Sequence, residues 1–600
     1  MAFFSLPSST HPIHPAQVRS SSLKPLIYSS SPGFFSHAFR PTRVTNHKTH
    51  AEASTCKAQN ADHHQNPSTD DSISSSKSNS SKTSAGQFER RDVLLGLGGL
   101  YGATTLGTKQ SSLALPVSPD ISNCTDARET PNGIPINCCP PSAASYSDYT
   151  PSAREVYTRM PAHTVSHDYV KKYSSAIAKM KNLSLSDPRN FYQQANVHCV
   201  YCDEGYSQSG FPDKKLDVHS SWLFFPWHRW FLYFFERICK NLLDDDTFTL
   251  PFWQWDDSSG MQIPPMFNDS KLSLYNCIRN PKHLPPKVVD LAYKGTDSGI
   301  DPKTQIQYNC CTMYTQMITH SSAPPLFFGH PLLGGGDPDP GAGSIETEPH
   351  NNVHDWVGDP SEPNNEDMGV LYSAGRDPIF YAHHANVDRM WYIYNNVLKR
   401  KNIEDPDWLN SSFIFFNEAG RPVRVTVKDS TNLAKLGYTY PDLPLSWLDR
   451  KPKARRKGLN LTKVSAPKAS EVLPIKLEKP ISFVVERPKK SRSGQEKAEA
   501  EEVLKIKGIE FDKGETVVFD VFVNEDDTSK CNPCKAESLG SFHTLAHGHG
   551  KKSTTSRSFA ISEVLEELGA DDFDSILVIL VPRRGVVTIG GVEITFVPKP

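Results

Sequence analysis

Between Pro349 and Trp391 the chain concentrates four histidines, His350, His354, His383 and His384, among aromatic and acidic residues, and this restricts the fold more than any other feature. His350 and His354 are four apart, so on a helix their imidazoles share one face, the arrangement one transition-metal ion needs from two neighbouring ligands. A third donor has to come from elsewhere. The next segment, IFYAHHANVDRMWYIYNN, reads as a helix starting after Asp377-Pro378. Adjacent histidines on it point about 100° apart, so only one of His383 and His384 can face the same metal. Three neutral imidazoles without a thiolate suit copper, zinc or iron, and copper is the tightest of these in the intrinsic order.

A second set lies some 130 residues earlier. Residues 191–240 hold His198, His219 and His228 in an equally aromatic setting. His219 and His228 are nine apart, which on one unbroken helix places them on opposite faces. Pro226 resolves this: a helix starting near it carries His228, while His219 approaches from the preceding loop. A lone histidine here would more often be structural, but six in two segments point to a metal centre.

A chain of 600 residues exceeds one ordinary core, and two folded domains plus an extra segment are expected. The net charge of -2 and the absence of a basic patch interleaved with aromatics exclude nucleic acid as a partner class. The first 50 residues lack Asp and Glu but contain Arg19, Lys24, Arg40, Arg43, Lys48 and many serines, the composition of an organellar transit peptide, expected over 1–89 as a chloroplast signal. Arg90-Arg91-Asp92 and the run VLLGLGGLYGATTLG then read as a twin-arginine signal over 90–114. That run is 15 residues long and broken by Gly96, Gly98, Gly99 and Gly102, too short for the ~20 residues of a membrane span, so no stable membrane insertion is expected. Together the two signals predict a plastid protein delivered folded into the thylakoid lumen. Cys124, Cys138, Cys139 and Cys199 cluster early in the mature chain, where two bridges would staple an extended Pro-rich segment to the domain, although spacing does not fix their pairing.

The motifs HCVYC, DVHSSWLFFPWHRW, PHNNVHDWVGDP and RDPIFYAHHANVDRMW closely resemble the two copper motifs of the plant polyphenol oxidases, the catechol oxidase and tyrosinase family. DPDWLNSSFIFFN with KLGYTYP, and VVFDVFVN with LVPRRGVVTIGGVEI, resemble that family's later segments, so the likeness covers most of the mature chain. It implies two copper ions, one held by His198, His219 and His228, the other by His350, His354 and His384, with His383 a neighbour that does not ligate. It implies O2 and small phenols as substrates, oxidation of ortho-diphenols to ortho-quinones, a thioether between Cys202 and His219, and disulfides Cys124–Cys139 and Cys138–Cys199. Leu371 departs from the phenylalanine that many catechol oxidases place over the first copper, leaving more room for a monophenol. Glu346 and Asn351 match a pair thought to hold a water that deprotonates the phenol, whose ordinary pKa is about 10. Tyrosinase-type activity on monophenols is therefore expected beside the diphenolase. Asp388, one turn after His384, is expected either to orient an imidazole or to take a surface or capping role, and Phe380 and Trp391 are expected in the core.

The fold expected is multidomain: a mainly α-helical copper domain with a central four-helix bundle (115–450), a basic Pro-rich linker open to an activating protease (451–470), and a β-sandwich (471–600). The segments LPIKL, ISFVVE, VLKIKGIEF, ETVVFDVFVN, SILVILVP and VVTIGGVEITFV alternate like strands. In the family this domain is a lid, implying a latent enzyme activated by linker cleavage, detergent or acid. Cys531 and Cys534 form an isolated CxxC near His543, His547 and His549, expected as a loop disulfide or two thiols rather than a metal site. Rival readings are a haemocyanin-like oxygen carrier, a narrower enzyme such as an aurone synthase or lignan-type phenol hydroxylase, and a structural metalloprotein. Two open histidine triads disfavour the last.

Overall fold

Helix signals are local and the structure obeys most of them. In this computed structural model, which describes residues 115–129, 135–141, 145–459, 466–547 and 552–600, the Ser166 side chain accepts from Tyr169 N–H and starts α1 (His167–Asn182). Its buried stripe is Tyr173, Ala176, Ile177 and Met180, the spacing of one helical face. Ser186-Asp187-Pro188 has the composition of a helix start, yet the next helix begins later: Asn190 caps α2 (Phe191–Cys202), and Asp187 instead binds Arg189 at 2.7 Å. Helix α3 (Phe224–Leu243) carries Pro226 in its first turn, where a missing N–H costs nothing, and stops at Asp244 in the left-handed conformation. Helices α4 (Asn351–Val357) and α5 (Ile379–Tyr392) complete the central group, with α3 packed against both α1 and α5. Three of these helices are sealed from water almost all round; Trp227, Trp230, Phe231, Trp356, Phe380 and Trp391 are all fully buried.

Asp388 on α5 does not touch an imidazole. It pairs with Arg229 at 2.6 Å and Arg159 at 3.4 Å and accepts the hydroxyls of Tyr438 and Tyr440. This hub ties α5 to α3, with the Arg229 guanidinium 3.5 Å over the Trp391 ring.

The β-rich part is two antiparallel four-stranded sheets packed face to face. Its strands are β1 (Ile475–Lys476), β2 (Ile481–Glu486), β3 (Ala500–Phe511), β4 (Val517–Val523), β5 (Ser538–Thr544), β6 (Ser553–Ala560), β7 (Ser575–Arg584) and β8 (Val587–Pro598), ordered β1-β8-β3-β6 and β2-β7-β4-β5. Residues from both sheets, among them Phe483, Ile506, Phe519, Phe559, Val578 and Ile589, share a core separate from that of the helical part. Strands β5 and β6 were not foreseen. Their sequences, SLGSFHT and STTSRSFA, are polar, and β5 is nevertheless almost wholly buried because the helical part covers its outer face.

That cover is extensive. Ser541 N–H and Leu539 C=O on β5 bond Glu348 and His320 at 3.1 and 2.8 Å, and Lys294 pairs with Asp520 on β4 at 2.7 Å. Arg584 pairs with Asp355 at 2.8 Å. The structure bonds Cys124 to Cys139 and Cys138 to Cys199. Cys534 is not bonded to its CxxC neighbour but to Cys311, across the two parts of the molecule. The loop bearing Cys534 lies against the helix Pro302–Tyr314, which brings the two Cα atoms to 5.1 Å. The targeting segments, the middle of the linker and His549 lie outside the described residues. Among the described residues no helix is long and apolar enough to cross a membrane.

Candidate metal centre

The two histidine sets meet in the middle of the helical core, and each side chain is positioned by a main-chain group. His198 on α2 contacts the Leu371 carbonyl through Nδ1 at 3.0 Å; His228 on α3 contacts the Phe224 carbonyl at 2.8 Å; His354 on α4 contacts the Met368 carbonyl at 2.7 Å. A carbonyl only accepts, so each Nδ1 carries the hydrogen and each Nε2 keeps its lone pair. His350 follows the same rule, with Nδ1 facing the Asn351 amide oxygen at 2.9 Å and the Glu346 carbonyl at 3.3 Å.

These lone pairs converge. His384 Nε2 lies 3.3 Å from His350 Nε2 and 3.1 Å from His354 Nε2, while Nε2 of His198, His219 and His228 finds no hydrogen-bond partner among the described residues despite burial. Within each set the donor atoms lie within 4.8 Å of one another. Acceptors facing acceptors in a dry core are unfavourable without a cation between them, so the donor set fits a transition metal in each group. The sets are contiguous: the His228 and His384 rings stack at 4.3 Å, and the Phe380 ring sits 4.7 Å from His198 and 4.2 Å from His384. Burial, and then the neighbouring imidazoles, hold His198, His228, His350 and His384 well below the usual histidine range, and burial leaves His354 at about 3. Neutral imidazoles are what a metal requires.

His383 is in reach of the second set but is oriented differently. The Trp255 indole N–H donates to its Nδ1 at 3.1 Å, so its hydrogen is on Nε2 and no lone pair faces the group. His219 comes from the loop before α3, as Pro226 implied, with Asp217 accepting its main-chain N–H at 2.7 Å. The Cys202 sulfur shares the 4.8 Å cluster with His198, His219 and His228. Glu346 is buried, accepts Ser220 N–H, and is pushed well above the usual carboxylate range by burial. Leu371 is buried at the start of a short helix, and its carbonyl, not only its side chain, bears on the site by fixing His198. Asn351 donates through Nδ2 to the carbonyl of His543 at 2.7 Å, a group on β5. The segment just after β5 goes further, since Leu545 and Ala546 join the core cluster of the helical part. The carbonyls of Phe224, Met368 and Leu371 and the Trp255 indole were not found from the sequence, because a main-chain contact leaves no residue signature.

Family models match three consecutive stretches: the common central domain of tyrosinase over residues 188–397, the polyphenol oxidase middle domain over 402–453 and the chloroplastic polyphenol oxidase C-terminal domain over 473–596. The chain is 47% identical over 530 residues to a chloroplastic polyphenol oxidase of Malus domestica, covering 85% of this chain and 89% of that one. It is 45% identical over 531 residues to the chloroplastic (+)-larreatricin hydroxylase of Larrea tridentata, covering 85% and 90%. The solved structure of latent apple tyrosinase superposes with a TM-score of 0.72 at 46% identity, covering 75% of this chain and all of the other.

Proposed function

From the premise that this chain belongs to the plant polyphenol oxidase family, a plastid enzyme with a type-3 copper pair, we propose that it is a latent tyrosinase-type oxidase of ortho-diphenols and monophenols, held inactive by its own β-sandwich. The observation that carries the reading is the set of opposed imidazole lone pairs in a dry core. His198, His219 and His228 hold one copper and His350, His354 and His384 the other; His383 stays outside, held by Trp255. A copper pair held there would supply the two-electron redox chemistry by which an ortho-diphenol is oxidised to an ortho-quinone at the expense of O2.

The protein's own part is positional. Main-chain carbonyls fix four of the six rings, so the ligands do not have to be organised when oxygen binds. A thioether from Cys202 to His219 supplies the rigidity that this loop-borne ligand, with no carbonyl on its Nδ1, otherwise lacks; peptide mass mapping should find the pair two hydrogens lighter. Glu346 and Asn351 hold the water that accepts the phenol proton, and Leu371 leaves space for a monophenol ring. In the latent chain the Asn351 amide is engaged by the His543 carbonyl, and Leu545, two residues on, is packed into the core of the helical part. Displacing the β-sandwich, by cleavage in the 451–470 linker, frees both. We place the mature protein in the thylakoid lumen on the strength of its twin-arginine signal. The test is oxygen uptake by copper-loaded protein nicked in the linker, given 4-methylcatechol or tyramine. Both should be consumed, tyramine after a lag. Turnover of the catechol with no product from tyramine would reduce the enzyme to a diphenolase, and equal rates before and after nicking would remove the latency.

A further inference from the structure

Beside the first histidine set the helical part gathers three buried carboxylates, Glu204, Asp217 and Asp339. Asp217 joins them to the metal centre, accepting His219 N–H at 2.7 Å, with its carboxylate 3.6 Å from His219 Nδ1. The cations in direct contact with this group come from the β-sandwich, while Lys215 of the helical part attracts Glu204 from farther off. The Lys513 ammonium binds Glu204 and lies 3.3 Å from Asp339 Oδ2. His547 Nε2 stands 3.4 Å from the same oxygen, and the Ser553 hydroxyl donates to it at 2.5 Å. Even so, among the described residues Asp339 Oδ1 and Asp217 Oδ2 are buried without a hydrogen-bond partner. Burial alone would lower His547, but the adjacent Asp339 carboxylate outweighs it and holds His547 at about 9, a cation at neutral pH.

The segment from His543 to His547 therefore spans the approach to the site. One end binds Asn351 and the other binds Asp339, with Leu545 and Ala546 between them in the helical core. Removing the sandwich takes away Lys513, His547 and Ser553 together and leaves the carboxylates of Asp217 and Asp339 next to Glu204 with Lys215 as the remaining cation on that side, an excess of negative charge that a cation entering the site would relieve.

We propose that Glu204, Asp217 and Asp339 form an ammonium-binding subsite of the activated enzyme, that its preferred substrate class is phenols bearing an aliphatic amine, and that Lys513 stands in for the substrate's ammonium in the latent chain. This rests on the reading of the β-sandwich as a displaceable lid. A neutral catechol gains nothing from the subsite, and a phenol bearing a carboxylate is repelled by it.

The test uses copper-loaded full-length protein nicked in the linker, with dopamine, 4-methylcatechol and 3,4-dihydroxyphenylpropionate compared by kcat/KM. Dopamine should be preferred to the propionate by at least about tenfold, the effect of one charge-assisted hydrogen bond. Asp339→Asn and Glu204→Gln should each lower the dopamine to 4-methylcatechol ratio about tenfold, through KM rather than kcat. An unchanged ratio in both variants, or parallel loss on all substrates, overturns the subsite. A measurement independent of the variants and of turnover is calorimetric titration of the nicked wild-type protein with phenethylamine and phenylpropionate, neither of which has a phenol. Binding of the amine alone supports the proposal; equal binding, or none, refutes it. If nicking fails to raise 4-methylcatechol oxidation, the lid reading falls and the subsite with it. If that oxidation rises while amines gain nothing, only the subsite falls.

Discussion

Replacing Asp388 by Asn removes one charge from the ion hub that ties α5, the helix of His384, to α3, the helix of His228. Arg159 keeps Glu236 at 2.9 Å, but Arg229 is left with the Ser430 carbonyl at 3.0 Å and the Trp391 face, and no carboxylate. Stranding a buried charge in this way costs about 3–5 kcal/mol; Asn retains an acceptor for the tyrosine hydroxyls, which places this case near the lower figure. With ~2–4 °C per kcal/mol for domains of moderate size and less for larger ones, the apo chain should melt lower by several degrees, up to about 6 °C. The sign with pH follows from Asp388 itself, which Arg229 and Arg159 hold below its ordinary value against the opposing effect of burial. The hub's contribution is therefore complete at neutral pH and is lost as the pH falls through the folded value, so the gap between wild type and variant should close in acid. Scanning calorimetry of the apo proteins reads this without any contribution from copper. A variant that melts with the wild type at pH 7 while binding one copper fewer would refute the reasoning, because that is the result for an Asp388 acting on the His384 ring.

Other consequences follow from the same contacts. His384→Ala should bind one copper fewer by atomic absorption, whereas His383→Ala should keep both, since only the former presents a lone pair to its neighbours. The Cys311–Cys534 bridge closes a loop of 223 residues, for which the chain-entropy model gives roughly 5 kcal/mol; linker-nicked Cys534→Ser protein should lose its β-sandwich on gel filtration, whereas in nicked wild type the bridge should keep the displaced sandwich tethered to the helical part until it is reduced. The His547–Asp339 contact has a window set by both partners. His547 is raised from 6.5 to about 9, so its contribution is full below 6.5 and lost as pH rises through about 9. Asp339 is held below its ordinary 3.8, so its contribution is full above that value and lost as pH falls through the lowered one. Intact protein exposed briefly to strong acid or to pH above 9 should show more diphenolase activity on return to neutral pH than protein kept at pH 7.

The site was more legible in the sequence than its surroundings. Histidines at fixed offsets around Pro226 and after Pro378 state which rings share a face, and the structure brings the two sets together. The alternation in segments such as ISFVVE states a sandwich. What stayed hidden was carried by groups without a pattern. Strand β5 loses its alternation because both its faces are covered, one by its own sandwich and one by the helical part. Cys534 pairs with Cys311 through tertiary packing that no spacing encodes. Asp388 has the position of an imidazole partner but finds two arginines first. At position 371 the sequence shows a leucine side chain but not the carbonyl that holds His198.

The central claim is that two buried histidine triads form an oxidase of phenols that the β-sandwich keeps latent. Copper content and oxygen uptake, measured on one preparation before and after cleavage in the linker, test it most directly. The account predicts two coppers per chain throughout and a rise in 4-methylcatechol-dependent oxygen uptake of tenfold or more on nicking, on the order of one lost stabilising contact between sandwich and site. A chain that holds two coppers and consumes no oxygen with any catechol after nicking would contradict it.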